Sequence, residues 1–274
     1  MDKTFKNKTD WGHVASWYDT HLAGDDTYHA KVIVPNLSRL INSIQGKVEE
    51  QFLKGKIVLD LACGQGYFTQ IWAMGGAKKV YGVDLGLGLI KIGQQNAERV
   101  GLKNIEYIVS PADNLEMIKD NSVDIVTCVL AIQNIEEVRG VFDEVSKKLV
   151  KGGRMYVVLN HPSFRNPRQT HWIWDTEKSS QYRRVDEYIS ESKAKIDMNP
   201  GADKSNGGLA KNHTWSFHRP LQYYFKAINK AGLCVGRLEE WISHKQSQNG
   251  PRQTAEDKSR KEIPMFMMLE IIKV

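Results

Sequence analysis

Acids, glycines and imidazoles suited to holding or activating a ligand begin with Asp60-x-Ala62-x-Gly64-x-Gly66, followed by Asp84 and Asp113, and then by His161 and His218. Glycines at 64 and 66 allow a tight turn and let another group lie against the backbone, because a Cβ would fill that space. Asp84 stands 18 residues past Gly66. A carboxylate there can accept hydrogen bonds from the vicinal hydroxyls of a ribose; capping the helix that follows is the plainer reading. Asp113, in Ser110-Pro111-Ala112-Asp113-Asn114, can accept from an exocyclic amine such as adenine's, or simply form a turn. An unperturbed imidazole titrates near pH ~6.5, which suits His161 to proton transfer. Its alternative is a ring that caps the loop before Pro162. His218 and Tyr18 are weaker candidates for the same task.

These residues need elements that bring them together. From Lys56 the pattern repeats as apolar strand, turn and amphipathic helix, giving five strands in about 105 residues. The strands are Ile57 to Leu61, Lys79 to Asp84, Ile105 to Val109, Asp124 to Leu130 and Arg154 to Leu159. Helices are expected at Leu87 to Val100 and Val138 to Leu149, the latter broken by Gly152-Gly153. Strands alternating with helices imply a parallel, doubly wound sheet, whose ligands lie outside the strands' carboxyl ends where the strand order reverses. Ala62 to Gly66, Asp84, Pro111 to Asn114, Ala131 to Gln133 and Asn160-His161 all fall at such ends.

Flanking segments differ. Ile33, Leu37, Leu40, Ile41 and Ile44 keep helical spacing, with Gly46 as a stop, and Trp11, Val14 and Tyr18 could lay an N-terminal helix on the core or close over a ligand. Residues 163–215 break the rhythm and carry Arg165, Arg168, Trp172, Trp174 and Trp215. They read as a substrate-side cap, or as a cap whose aromatics form their own small core. A helix follows from Leu221, then strands at Val235 to Ile242 and Met265 to Val274, with 243–262 expected as a solvated loop. The domain division is therefore 1–50, an N-terminal helical lid; 51–162 with 216–274, the ligand-binding domain; and 163–215, the cap.

With 41% apolar residues the chain can bury a substantial core, and its net charge of +6 permits but does not require an acidic partner such as nucleic acid. No run reaches the roughly 18 apolar residues of a membrane span, and Met1 to Lys8 lacks an apolar signal core, so a cytoplasmic location is expected. Cys63, Cys128 and Cys234 are too scattered for a disulfide framework or a metal knuckle, and they read as small buried residues.

Val58 to Gly66, Tyr81 to Leu85, Ser110 to Leu115 and Asp124 to Ile135, in that order, resemble the motifs of class I S-adenosylmethionine-dependent methyltransferases, particularly their small bacterial members. Ala62 departs from the usual glycine and Gln133 stands where many relatives carry histidine. The resemblance implies a seven-stranded, mostly parallel sheet ending in an antiparallel pair. It further implies S-adenosylmethionine as cofactor and S-adenosylhomocysteine as product. Asp60, Ala62, Gly64 and Gly66 would lie along the methionine part and Asp84 on the ribose. Leu85, Ala112 and Asp113 would hold the adenine, backbone near Val129 and Leu130 would complete the pocket, and Tyr18 would close over it. Phe217-His218-Arg219-Pro220-Leu221 resembles a phrase near the substrate side, which would comprise Trp17, His161, Arg165, Arg168, Trp172, Trp174, His218 and Arg219. No metal is expected.

The expected reaction moves a methyl group by in-line displacement to an oxygen or nitrogen of a small, acidic, partly apolar or aromatic molecule. The sulfonium is already an activated leaving group, so the protein mostly supplies orientation, worth up to about 7–11 kcal/mol in favourable models. Rival readings are an RNA methyltransferase, a non-catalytic cofactor-binding protein, and a nucleotide-dependent oxidoreductase. The last is disfavoured by Thr69, where its fingerprint has a third Gly or Ala.

Overall fold

The computed structural model describes residues 24–43, 51–197 and 213–274. Trp17 and Tyr18, the N-terminal helix through Trp11 and Val14, the stop at Gly46 and the Gly-rich stretch after Asn199 lie outside these residues.

A π-helical turn, His29–Ile33, runs into α1, Val34–Ser43. Pro35, which has no N–H to give, stands where the π-helical turn passes into α1, a junction at which the hydrogen-bond pattern changes. The repeating region then gives β1 Ile57–Leu61, α2 Tyr67–Met74, β2 Lys79–Asp84, α3 Leu87–Arg99, β3 Ile105–Val109, β4 Val123–Val129, α4 Val138–Lys148 and β5 Leu149–Asn160. These boundaries follow the apolar periods closely, with one correction. The fifth strand starts five residues before Arg154, because the helix ends at Lys148 and Leu149 turns directly into extended backbone. Gly152, at φ 76°, lies inside the strand and is not the helix stop.

The sheet has the order β10-β11-β5-β4-β1-β2-β3, with β10 Leu233–Trp241 and β11 Phe266–Lys273. Strands β1 to β5 pair in parallel, whereas β11 runs antiparallel between β5 and β10. This is the expected seven-stranded, doubly wound α/β sheet with its antiparallel C-terminal pair. The order reverses between β1 and β4, which fixes the crevice where a ligand belongs.

Alternation along the strands sorts side chains into two cores. Leu59, Leu61, Val126 and Cys128 face α4 through Val141, Phe142 and Val145, and α5 (Leu221–Lys230) through Tyr224 and Ile228. Val58, Val80, Ile125 and Val158 face α1 through Leu37 and Leu40, and α2 through Phe68 and Trp72.

Two β-hairpins form within the stretch expected as a cap: β6 Thr170–Asp175 with β7 Ser180–Val185, and β8 Ser192–Asp197 with β9 His213–His218. The second half of the expected loop at 243–262 is instead α6, Gln253–Glu262, a helix with no buried residue that lies against β7. Its polarity gave no apolar stripe to read. Of the cysteines only Cys128 is buried; Cys234 is exposed and Cys63 half-exposed.

Candidate functional site

A cavity of about 200 Å³ opens at the carboxyl ends of the parallel strands. Ala62 and Gly64 reach it from the loop after β1, Val83, Asp84 and Leu85 from the end of β2, and Ser110, Pro111, Ala112 and Asp113 from the turn after β3. Val129, Leu130 and Ala131 leave β4 along its wall, and Asn134, Ile135, Glu136 and Glu137 continue it. Sequence reasoning placed the first three groups and missed the acidic end of the last. Glu136-Glu137 directly ahead of the helix starting at Val138 was the available signal.

The walls are braced from behind. Asp84 accepts from the Gly64 amide through Oδ2 at 2.9 Å and from the Gly86 amide through Oδ1 at 2.8 Å. One carboxylate thereby ties the loop after β1 to the loop after β2, which is more than the helix cap of the plainer reading. Ala62 and Leu130, the first residues past β1 and β4, both have φ 52°. Left-handed backbone costs a residue with a Cβ about 1–2 kcal/mol, and such positions concentrate where a site imposes them. A glycine would adopt Ala62's conformation freely, so the alanine is a departure that the fold sustains at some strain. Leu130 is held by its amide on the Val158 carbonyl at 2.7 Å, while Gln133 Nε2 donates to the Leu130 carbonyl at 2.8 Å. Arg219 Nη2 donates to the carbonyls of Ile135 and Glu136 at 3.0 and 2.7 Å and fixes the far end of the same wall.

Gly66 needs a correction. It caps α2 at φ 80°, but a Cβ there would stand 2.1 Å from the Tyr107 hydroxyl. Cβ atoms at Gly82 and Gly93 would each come within 2.9 Å of the same ring. What lies against Gly66 is thus Tyr107 of β3, inside the protein, and Gly66 does not line the cavity. Gly64 alone of the pair does.

Asp60 is likewise withdrawn from the cavity. It points to the α2 face with Val58, is 2% exposed, and accepts from Thr69 Oγ1 at 2.7 Å and Thr127 Oγ1 at 2.8 Å. Trp72 Nε1 donates in turn to Thr127 at 3.1 Å. Burial pushes the Asp60 carboxyl up to about 6, with both threonine hydrogen bonds pulling the other way. Its place is to lock β1, β4 and α2 beneath the loop.

His161 is 5% exposed and engaged on both ring nitrogens. The Ser163 amide donates to Nδ1 at 3.2 Å, so the neutral ring carries its proton on Nε2, which donates to Glu240 at 2.7 Å. Burial lowers its pKa against the pull of Glu240. The ring caps its loop and does not reach the cavity. His218 Nε2 donates to the Tyr188 carbonyl at 2.8 Å and is also absent from the main cavity.

The expected substrate-side residues divide. Arg168 is exposed and braces the Lys195 carbonyl at 2.9 Å. Trp172 lies under Arg183 and Trp174 under Arg252 at the start of α6, and neither is in the lining of the main cavity. Arg165, His218 and Arg219 do come together, with Gln133, Asn160 and Ser216, around a second cavity of about 20 Å³ behind the 130–136 wall. No cluster of metal-ligating side chains occurs among the described residues, and none of their helices is long and apolar enough to cross a membrane.

Residues 59–157 match the model of a family described as a methyltransferase domain. A segment of 104 residues is 30% identical to a ubiquinone biosynthesis O-methyltransferase of Acinetobacter baumannii, covering 38% of this chain and 44% of that one. Another of 124 residues is 31% identical to a demethylmenaquinone methyltransferase of Geobacillus stearothermophilus, covering 44% and 53%. The chain thus spans about half the length of these relatives. In fold it resembles an S-adenosylmethionine-dependent methyltransferase from Mesorhizobium loti, with a TM-score of 0.62 at 22% identity over 84% of this chain and 95% of the other.

Proposed function

Because the chain carries a methyltransferase domain of the class I, S-adenosylmethionine-dependent type, we propose that it transfers the cofactor's methyl group to an oxygen or nitrogen of a small molecule. The charge of the main cavity carries this reading. Among the described residues its lining holds four acidic side chains, Asp84, Asp113, Glu136 and Glu137, and no basic one. S-adenosylmethionine presents a sulfonium and an ammonium, so such a lining favours it, whereas a dinucleotide with its pyrophosphate would be repelled.

The residues also fit the group part by part. Asp84 stands where the ribose hydroxyls would lie, and an ionised carboxylate is an acceptor on both oxygens. Leu85, Leu89, Ala112 and Ile135 offer an apolar slot for a purine, with Asp113 at its edge to accept from the exocyclic amine. The open loop at Ala62 and Gly64 would take the methionine part. When bound, the cofactor supplies an activated methyl group; the protein's share is to hold it and to align an acceptor behind the methyl carbon.

No imidazole lines this cavity among the described residues, so acceptors that lose their proton easily, such as phenols and carboxylic acids, fit best. Titration calorimetry with S-adenosylmethionine, S-adenosylhomocysteine and NADH tests the cofactor, and methyl-labelled cofactor incubated with fractionated cell extract tests the acceptor. Binding of NADH in place of the first two would overturn the reading. Label entering RNA would overturn the small-molecule acceptor.

A further inference from the structure

The second cavity differs from the first in charge and in unsatisfied chemistry. Arg219 is 5% exposed; its Nη2 holds the wall carbonyls, and its Nη1 is buried without a hydrogen-bond partner although the guanidinium lies near enough to the Tyr224 hydroxyl, in the same lining, to pull that group's pKa down against burial. Arg165 Nε and Gln133 Oε1 are also buried and unpartnered, and all three residues line this cavity. No carboxylate compensates either arginine among the described residues. The charged and titratable groups acting on Arg165 are Tyr28 and Arg260, and Arg165 in turn acts on Arg183 and on His161, whose own partner is Glu240. A buried guanidinium normally has an acid beside it, since leaving the charge uncompensated is costly. Here Arg219 is buried and Arg165 half-buried at one cavity, each with a buried N–H that has no hydrogen-bond partner, and together they make a place for an anion.

We propose that this cavity is the subsite for a carboxylate or phosphate group of the methyl acceptor, received by Arg165 and Arg219 beside Asn160 and His218. The inference rests on the methyl-transfer reading, because it takes the main cavity as the cofactor's. A space of about 20 Å³ admits one oxygen-sized atom, so the anionic group enters oxygen first and the rest of the acceptor stays outside. His218 suits this place, since its proton is committed to the Tyr188 carbonyl and burial lowers its pKa, leaving a neutral ring that does not compete for the anion. The two cavities are therefore of opposite sign and share the 130–136 wall: acids face a cationic cofactor on one side, and arginines face an anionic acceptor on the other.

Calorimetric titration of the full chain, saturated with S-adenosylhomocysteine, with inorganic phosphate, benzoate and neutral benzamide at constant ionic strength is the test. Phosphate or benzoate is expected to bind saturably and benzamide at least tenfold more weakly; which anion binds tells phosphate from carboxylate. Arg165→Gln should weaken that anion at least tenfold and leave S-adenosylhomocysteine affinity within twofold, and Arg165→Lys should recover part of the loss. Retained cofactor affinity also shows that each variant has folded. No saturable anion binding in the unsubstituted chain, or equal binding in Arg165→Gln, overturns the subsite. Anion binding that depends on Arg165 in a chain that binds no S-adenosylhomocysteine overturns the methyl-transfer reading and leaves an anion site.

Discussion

Asp84→Asn separates the two tasks assigned to this carboxylate. In the folded protein its two oxygens accept from two different loops, at the Gly64 and Gly86 amides. An asparagine has one acceptor oxygen, so its NH₂ must face one of those amides, donor against donor. The fold then loses one hydrogen bond to a charged acceptor, worth about 1.5–3 kcal/mol, and one amide is left unpaired. Chemical denaturation should show a loss of about that size. Calorimetry should show a parallel loss of S-adenosylmethionine and S-adenosylhomocysteine affinity of roughly tenfold or more, since a further 1–3 kcal/mol attaches to ribose hydroxyls deprived of their acceptor. The loss should be somewhat larger for S-adenosylmethionine, because its sulfonium, which S-adenosylhomocysteine lacks, also feels the removed negative charge. Unchanged affinity would refute placing the ribose at the end of β2. Unchanged stability would refute the energetic importance of the loop tie.

Three further substitutions test other parts of the account. Gly66→Ala should destabilise the protein by about 2–4 kcal/mol by denaturant titration, from left-handed backbone and overpacking against Tyr107; adding Tyr107→Phe should restore part of this, since it removes the 2.1 Å approach but not the 2.9 Å ring contacts. In Asp60→Asn a pH dependence should vanish. The native carboxyl keeps its proton up to about 6 whereas the unfolded one loses it near 3.8, so the native state binds more protons between those values and stability falls as pH rises through that window. The full cost is about 3 kcal/mol above it. Denaturation midpoints from pH 4 to 7 should therefore fall less steeply in the variant, and identical slopes would refute the buried titration. His161→Ala should lower stability by about 1–2 kcal/mol, as Glu240 and the Ser163 amide lose their partner, and leave cofactor affinity within twofold by calorimetry. A large loss of affinity would return the ring to the site.

The sheet was legible because its strands are short, almost wholly apolar and punctuated by glycine, so period and length agreed. The cavity was legible for the same reason: residues at strand ends are brought together by topology alone, and Ala62, Gly64, Asp84, Leu85, Ala112, Asp113, Val129 and Leu130 all line it. What sequence spacing could not convey was which side of the strand end a side chain takes. Asp60 differs from Ala62 by two positions, yet it faces helix α2, and only the pairing with Thr127 on β4 reveals the three-way lock. Gly66 has glycine's usual signature, but its close neighbour comes from β3, about 40 residues on. The hairpins and α6 escaped because their stability comes from stacked arginine and tryptophan and from edge contacts, which leave no apolar period to count.

Strand β11 carries a consequence for synthesis. Residues 266–273 lie between β5 and β10 and bond to both. Until they leave the ribosome, β5 is an open edge whose residues from Met155 to Leu159 are buried in the finished sheet. The growing chain must therefore carry an apolar strand paired on one edge only, to β4, through the making of both hairpins, α5, β10 and α6. That interval is when it is most exposed to pairing with another copy of itself. Slowing elongation between residues 160 and 266 should raise the aggregated fraction of the product more than slowing it before residue 149.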